Sequence, residues 1–227
     1  MTPFNPRSMR RPTLLLLAIA TLSPIGLLLG ENRLDPSPFD AQMRAVNELV
    51  QKGSYVEAEQ RLSALLEQVE QSGRQDEELA ITLNNLGLVS QYLGRLVEAE
   101  KRYKRALLIW ERLRGGNTVE SARVLDNLAS VYREMGRYSQ AGDLFRRALD
   151  LFRKAWGPDH PDVATVLNNL GELHRSRLQH AEAEIRYRQA LAIRPNDGEV
   201  YCRLGTALQE QGKLEEAVAQ YRQALAL

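Results

Sequence analysis

The stretch Leu83-Asn84-Asn85-Leu86-Gly87 returns as Leu125-Asp126-Asn127-Leu128-Ala129 and again as Leu167-Asn168-Asn169-Leu170-Gly171, so one pattern recurs at an interval of 42 residues. A fourth copy, Tyr201-Cys202-Arg203-Leu204-Gly205, follows after a shorter step of 34, from Leu170 to Leu204. Landmarks downstream keep step: Gly94, Gly136 and Gly212 at a turn, then Ala99, Ala141, Ala183 and Ala217, then Tyr103, Phe145, Tyr187 and Tyr221. A weaker first copy, Gly53-Ser54-Tyr55-Val56-Glu57-Ala58 with Leu62, lies one residue off the same spacing. Five copies at such a period mark an array whose units cannot bury their apolar faces alone and do so by stacking.

Each copy reads as two helices. Leu83, Leu86 and Ser90 fall on one stripe at three-to-four spacing. Gly87, Ala129, Gly171 and Gly205 occupy the slot where a second helix crosses closely, and Ala99, Ala141, Ala183 and Ala217 answer from that partner. The Tyr or Phe four residues later is spaced to fill the gap between hairpins. Composition agrees. The chain has 227 residues, 44% hydrophobic but only 6% aromatic, and is rich in residues that lose little rotamer freedom in a helix, so it is all-α. Thirty basic against 29 acidic residues leave no global field for nucleic acid or an anionic membrane. The single cysteine, Cys202, excludes an internal disulfide framework and a multi-cysteine metal site.

These residues resemble the tetratricopeptide repeat (TPR), and the linker and helix start from Trp156-Gly157-Pro158-Asp159-His160-Pro161 to Leu170-Gly171 are similar to the kinesin light chain type. The resemblance covers residues 39–227 and implies a right-handed superhelical solenoid of about five helix-turn-helix hairpins, in units near 39–77, 80–117, 122–159, 164–197 and 198–227. The sequence departs from the pattern at the turn of the fourth unit, where Leu178 and His180 replace the glycine and the aromatic, and no unit carries Trp at the first aromatic slot. The eight additional residues of the longer copies are expected to extend the second helices around Ala106–Leu113 and Ala148–Ala155. Asp159 or His160 is expected to cap the helix that Pro161 opens, and Asn117 with Glu120 to form a capping pair.

The resemblance further implies that first helices line a concave groove that holds a protein or peptide. The side chains off the leucine stripe are then the candidate contacts: Asn84, Asn85, Asp126, Asn127, Asn168 and Asn169 as an amide ladder, and one turn on Leu88 and Gln91, Ser130 and Arg133, Glu172 and Arg175, Thr206 and Gln209. An amide both donates and accepts, which suits an extended backbone, while the alternative is bonding within or between hairpins. Arg133 and Arg175 have the fork geometry for a ligand carboxylate, or are simply solvated. The basic second helices, from Lys101 and Arg102 to Arg186 and Arg188, are interleaved with Glu98, Glu100, Glu182 and Glu184, with Glu98 and Arg102, and Glu100 and Lys104, spaced to pair; a solvated convex face is expected, with no nucleic acid partner. His160, His174 and His180 are scattered, with no nucleophile motif, phosphate loop or metal spacing beside them, so no catalytic residue, metal or cofactor is expected. Cys202 is expected to be a packing residue.

Ahead of the array, Arg7, Arg10 and Arg11 precede an uncharged apolar run, Leu14–Leu29, interrupted by Pro24 and Gly26. Residues 1–30 read as a signal peptide or an N-terminal membrane anchor and 31–38 as a linker, giving an exported or membrane-tethered protein that meets the bilayer only through that segment. At the other end Leu214, Ala217, Val218, Tyr221, Leu225 and Leu227 lack the polar capping helix that arrays usually carry, which leaves self-association through this edge, or a longer natural chain, as rival readings.

Overall fold

The computed structural model describes residues 37–71, 73 and 76–227 and, among them, ten α-helices and no strand. They pair as five antiparallel hairpins: α1 Pro38–Gln51 with α2 Tyr55–Gln71, α3 Glu77–Tyr92 with α4 Leu96–Arg114, α5 Val119–Glu134 with α6 Tyr138–Trp156, α7 Pro161–Ser176 with α8 His180–Ile193, and α9 Gly198–Glu210 with α10 Leu214–Leu225. The leader, residues 1–30, and most of the linker lie outside the described residues. Among those described, no helix is long and apolar enough to cross a membrane.

Local signals explain where the helices begin and stop. Ser37 and Asp40 form a reciprocal capping box on α1, and Asp76, Thr118 and Asp197 accept from the third backbone N–H of α3, α5 and α9. The cap of α5 is thus Thr118, bonded to the Ser121 amide at 3.2 Å, and not the expected Asn117 and Glu120 pair. His160 caps α7 through Nδ1 while Pro161 takes the first helical position. Inside hairpins the turn ends the helix: Gly94 N–H donates to the Gln91 carbonyl at 2.9 Å and Arg95 N–H to the Ser90 carbonyl at 2.8 Å, with Gly94 at φ 73°. The fourth hairpin makes the same two bonds with Leu178 at φ 58°, a left-handed conformation that costs an L side chain.

The change of period has a definite location. Second helices shorten from 19 residues in α4 and α6 to 14 in α8, and first helices from 16 in α3, α5 and α7 to 13 in α9. So five of the eight additional residues lie in the second helix and three at the start of the next first helix, not all in the second helix as the sequence suggests.

Packing follows the repeat. Leu83, Leu86 and Ser90 and most of their equivalents are buried, with His174 and Tyr201 half-buried, and Tyr103, Phe145 and Tyr187 are buried too. A Cβ built on Gly87, Gly171 or Gly205 would lie 2.7, 2.4 or 2.7 Å from the ring of Tyr103, Tyr187 or Tyr221, so only glycine admits these rings. The third unit tolerates Ala129 because its ring is Phe145, which has no hydroxyl to hold it in place. The three tyrosines are held: Tyr103 Oη lies 3.5 Å from Gln91, Tyr187 Oη donates to Glu172, and Tyr221 Oη donates to Gln209 at 3.1 Å. Each second helix packs against its own first helix and the next one, while the first helices α3, α5 and α7 also touch each other directly. That places first helices on the inner, tighter side of the curve.

Candidate functional site

The inner face is built in two layers. In the lower layer lie the amides. Asn85 Nδ2 donates to Met43 Sδ at 3.1 Å, Asn84 Nδ2 to Asn85 Oδ1 at 3.3 Å, and Asn127 Nδ2 to Asn84 Oδ1 at 3.1 Å, while Asn169 Nδ2 reaches both Asp126 oxygens at 3.0 and 3.1 Å. Apart from the Asn84–Asn85 bond, the partners are about one repeat apart, so these bonds join one hairpin to the next. Asn84, Asn85, Asp126, Asn127 and Asn168 are buried and Asn169 is half-buried. In this structure the ladder is therefore a seam between hairpins. The seam stops at the fourth hairpin: Arg203 stands where Asn85, Asn127 and Asn169 stand, turns to Glu199 and Glu172, and leaves the buried Asn168 Oδ1 without a hydrogen-bond partner.

Asp126 is the one acid in that layer. Burial pushes its carboxyl up to about 7, the Asn169 amide works in the opposite direction, and Asp162 on α7 adds to the rise. The amides at the same slot in the neighbouring hairpins, Asn84 and Asn168, carry no such cost.

The upper layer is more open and charged. Gln91 Nε2 donates to Glu134 Oε1 at 2.7 Å, linking α3 to α5, and Arg133 lies 3.6 Å from the same Glu134. Arg175 holds Glu172 at 3.0 Å and reaches Glu210 on α9 at 4.0 Å, and Glu210 lies 2.8 Å from His180 Nδ1. Burial works against the Glu172 carboxylate, but Arg203, Arg175 and the Tyr187 hydroxyl outweigh it and hold it below the ordinary range. Both candidate arginines thus already have carboxylate partners, and a ligand carboxylate would have to displace one. Ser130 and Thr206 donate to their own helices, at the Asp126 and Cys202 carbonyls, while Gln209 is exposed. The Tyr92 hydroxyl is pushed up to about 12 by burial first, then by Tyr55, by Glu199 of α9 and by Glu134 of α5.

Sequence reasoning did not single out Tyr55 and Tyr92, whose rings stack at 4.7 Å where the first two hairpins meet, nor Glu134 and Glu210, which tie the upper layer together. The recurrence of an acid at 134 and 210, one residue after Arg133 and Gln209, was the available signal. Cys202 is exposed and not a packing residue, because the equivalent Asn84, Asp126 and Asn168 are each covered by the following hairpin and none is described after α9 and α10. On the outer side Lys104 pairs with Glu100 at 2.7 Å as expected, whereas Arg102 leaves Glu98 and turns inward to the Leu86 carbonyl and Ser90 Oγ. His160 packs against Trp156 with ring centroids 4.0 Å apart and the rings tilted by 43°, and Arg123 lies 5.7 Å from the centre of that indole. Among the described residues no group of His, Cys, Asp and Glu is placed to hold a metal ion.

With this architecture in view, the chain can be set beside known proteins. A family profile described as tetratricopeptide repeat matches residues 49–107, 78–154 and 120–196, and a second of the same description matches residues 187–219. BtubC (BKLC) from P. vanneervenii is similar in structure, with a TM-score of 0.69 and 23% identity over 82% of this chain and 77% of that one. A putative kinesin light chain of Podosopora anserina with nearly identical TPR-like repeats gives 0.67 and 19% over 86% and 96%, and PilF of Pseudomonas aeruginosa gives 0.62 and 22% over 83% and 75%. No curated protein sequence matches significantly. At these identities the structural likenesses speak for the fold alone, while the profile matches extend over most of the chain: it belongs to the tetratricopeptide repeat family.

Proposed function

We propose that this protein is a non-enzymatic adaptor that holds an extended segment or helix of a partner protein along the upper layer of its inner face. TPR proteins are in general scaffolds for other proteins, and the family membership carries that much. The observation that supports the finer reading is one row: Gln91, Arg133, Arg175 and Gln209 hold the same register position on four consecutive first helices, the first three of them above the amide seam. A row of amide and guanidinium groups backed by Glu134, Glu172 and Glu210 matches a polar partner backbone that carries charges of both signs. Specificity then comes from exchanging internal ion pairs for intermolecular ones, which costs little at half-exposed positions. The arginine-led apolar segment, Leu14–Leu29, supports export or tethering to a membrane, with the array on the far side.

The test separates the two layers. The full chain, immobilised, should capture a partner that the variant Gln91→Ala, Arg133→Ala, Gln209→Ala loses while its melting temperature stays within about 3 °C of the parent. Capture unaffected by that triple change means that the inner face is not the binding surface. For export, a reporter fused after Leu227 should be reached by protease added to intact cells or spheroplasts; a reporter protected there would remove the export reading.

A further inference from the structure

The last helix offers a surface that the inner face does not use. Leu107, Leu149, Leu191 and Leu225 hold one repeat position; Leu149 and Leu191 are 7% and 8% exposed beneath the next hairpin, and Leu225 is 88% exposed. With Leu214 and Val218, also exposed, and the half-buried Tyr221, it forms a stripe at 214, 218, 221 and 225, spaced four, three and four. That is the spacing of a coiled-coil seam. The positions flanking it on the solvent side are Glu215 and Arg222, both exposed and neither with an ion-pair partner among the described residues, although Lys213 and Glu216 beside them are paired to Glu184 and Arg188.

We propose that α10 pairs antiparallel with α10 of a second copy of this chain about a two-fold axis between Ala219 and Gln220. Residue 214 then layers on 225 of the other copy and 218 on 221. In an antiparallel seam the solvent-side flanks face each other, so Glu215 meets Arg222 twice. In a parallel seam these flanks face Ala217 and Ala224 and the charges go unused. A head-to-tail filament is disfavoured by the first described hairpin, where α1 turns outward the polar row Arg44, Glu48 and Gln51. The pairing is therefore isologous and closes at two copies.

The experiment is sedimentation equilibrium of the full chain in a mild nonionic detergent, at about 1–100 μM, with circular dichroism as the check on folding. The parent is expected as a dimer of the 25.7 kDa chain, Leu225→Glu as a monomer, and Glu215→Arg and Arg222→Glu each weakened at least about tenfold. The double variant Glu215→Arg/Arg222→Glu should recover to within about threefold of the parent. A monomeric parent, a dimer indifferent to Leu225→Glu, or a double variant as weak as the single ones would each overturn the proposal; indifference would place the contact elsewhere, the N-terminal segment included.

Discussion

Replacing Asp126 by asparagine should stabilise the protein at neutral and alkaline pH and have little effect in acid. The side chain is 4% exposed, and its carboxyl is pushed from 3.8 to about 7. In the native protein it therefore keeps its proton where the unfolded chain has lost it. Stability from this group is fully present below about pH 4 and is lost as pH rises through about 7, by about 1.36 kcal/mol per pH unit, or about 4 kcal/mol in all. Asparagine is isosteric, is already present at the equivalent Asn84 and Asn168, and keeps an oxygen for Asn169 Nδ2. The assay is urea unfolding of parent and variant by far-UV circular dichroism at about pH 4, 5, 6, 7 and 8. Carboxylates held low by cations, such as Glu100, Glu172 and Glu184, lose stability in acid, but equally in both proteins, so the difference isolates Asp126. That difference should grow with pH to between about 2 and 4 kcal/mol at pH 8. A difference that is flat with pH, or a variant less stable than the parent at pH 8, would refute the account.

Four further sites probe the packing. Gly171→Ala would place a methyl 2.4 Å from the Tyr187 ring and should cost about 1–3 kcal/mol in thermal unfolding, whereas Ala129→Gly should cost under about 1 kcal/mol. Leu178→Gly removes a left-handed leucine that is 79% exposed and should raise stability by about 1 kcal/mol in urea. Asn127→Ala leaves the buried Asn84 Oδ1 unpaired and should cost about 1–3 kcal/mol, visible as early amide exchange in α3 and α5.

The repeat was legible because each landmark answers a single packing demand. Gly87 and Tyr103 had to meet wherever the loops ran. The amide positions were legible as a row but not as a seam. Whether Asn127 faces a ligand or Asn84 depends on the rotation of α5 against α3, about which spacing along one chain says nothing. The Asn117 cap failed for a local reason: two adjacent residues, Asn117 and Thr118, can both cap, and the choice is made by which amide the first turn presents. Cys202 was misread because its slot is buried where a following hairpin covers it, as at Asn84, Asp126 and Asn168, and no described hairpin follows α9 and α10.

The interrupted seam also sets how the array bends. Between the first four hairpins, short amide links run along the inner side, where opening the curve must stretch them; they are neutral or buried and so insensitive to electrolyte. Between the fourth and fifth, the equivalent connection is made by Arg203 and Glu172 and by Arg175 and Glu210, longer side chains at 3.9 and 4.0 Å whose attraction fades as ions are added. Added salt is therefore expected to loosen the inner side of the last connection while leaving the links among the first four hairpins unchanged.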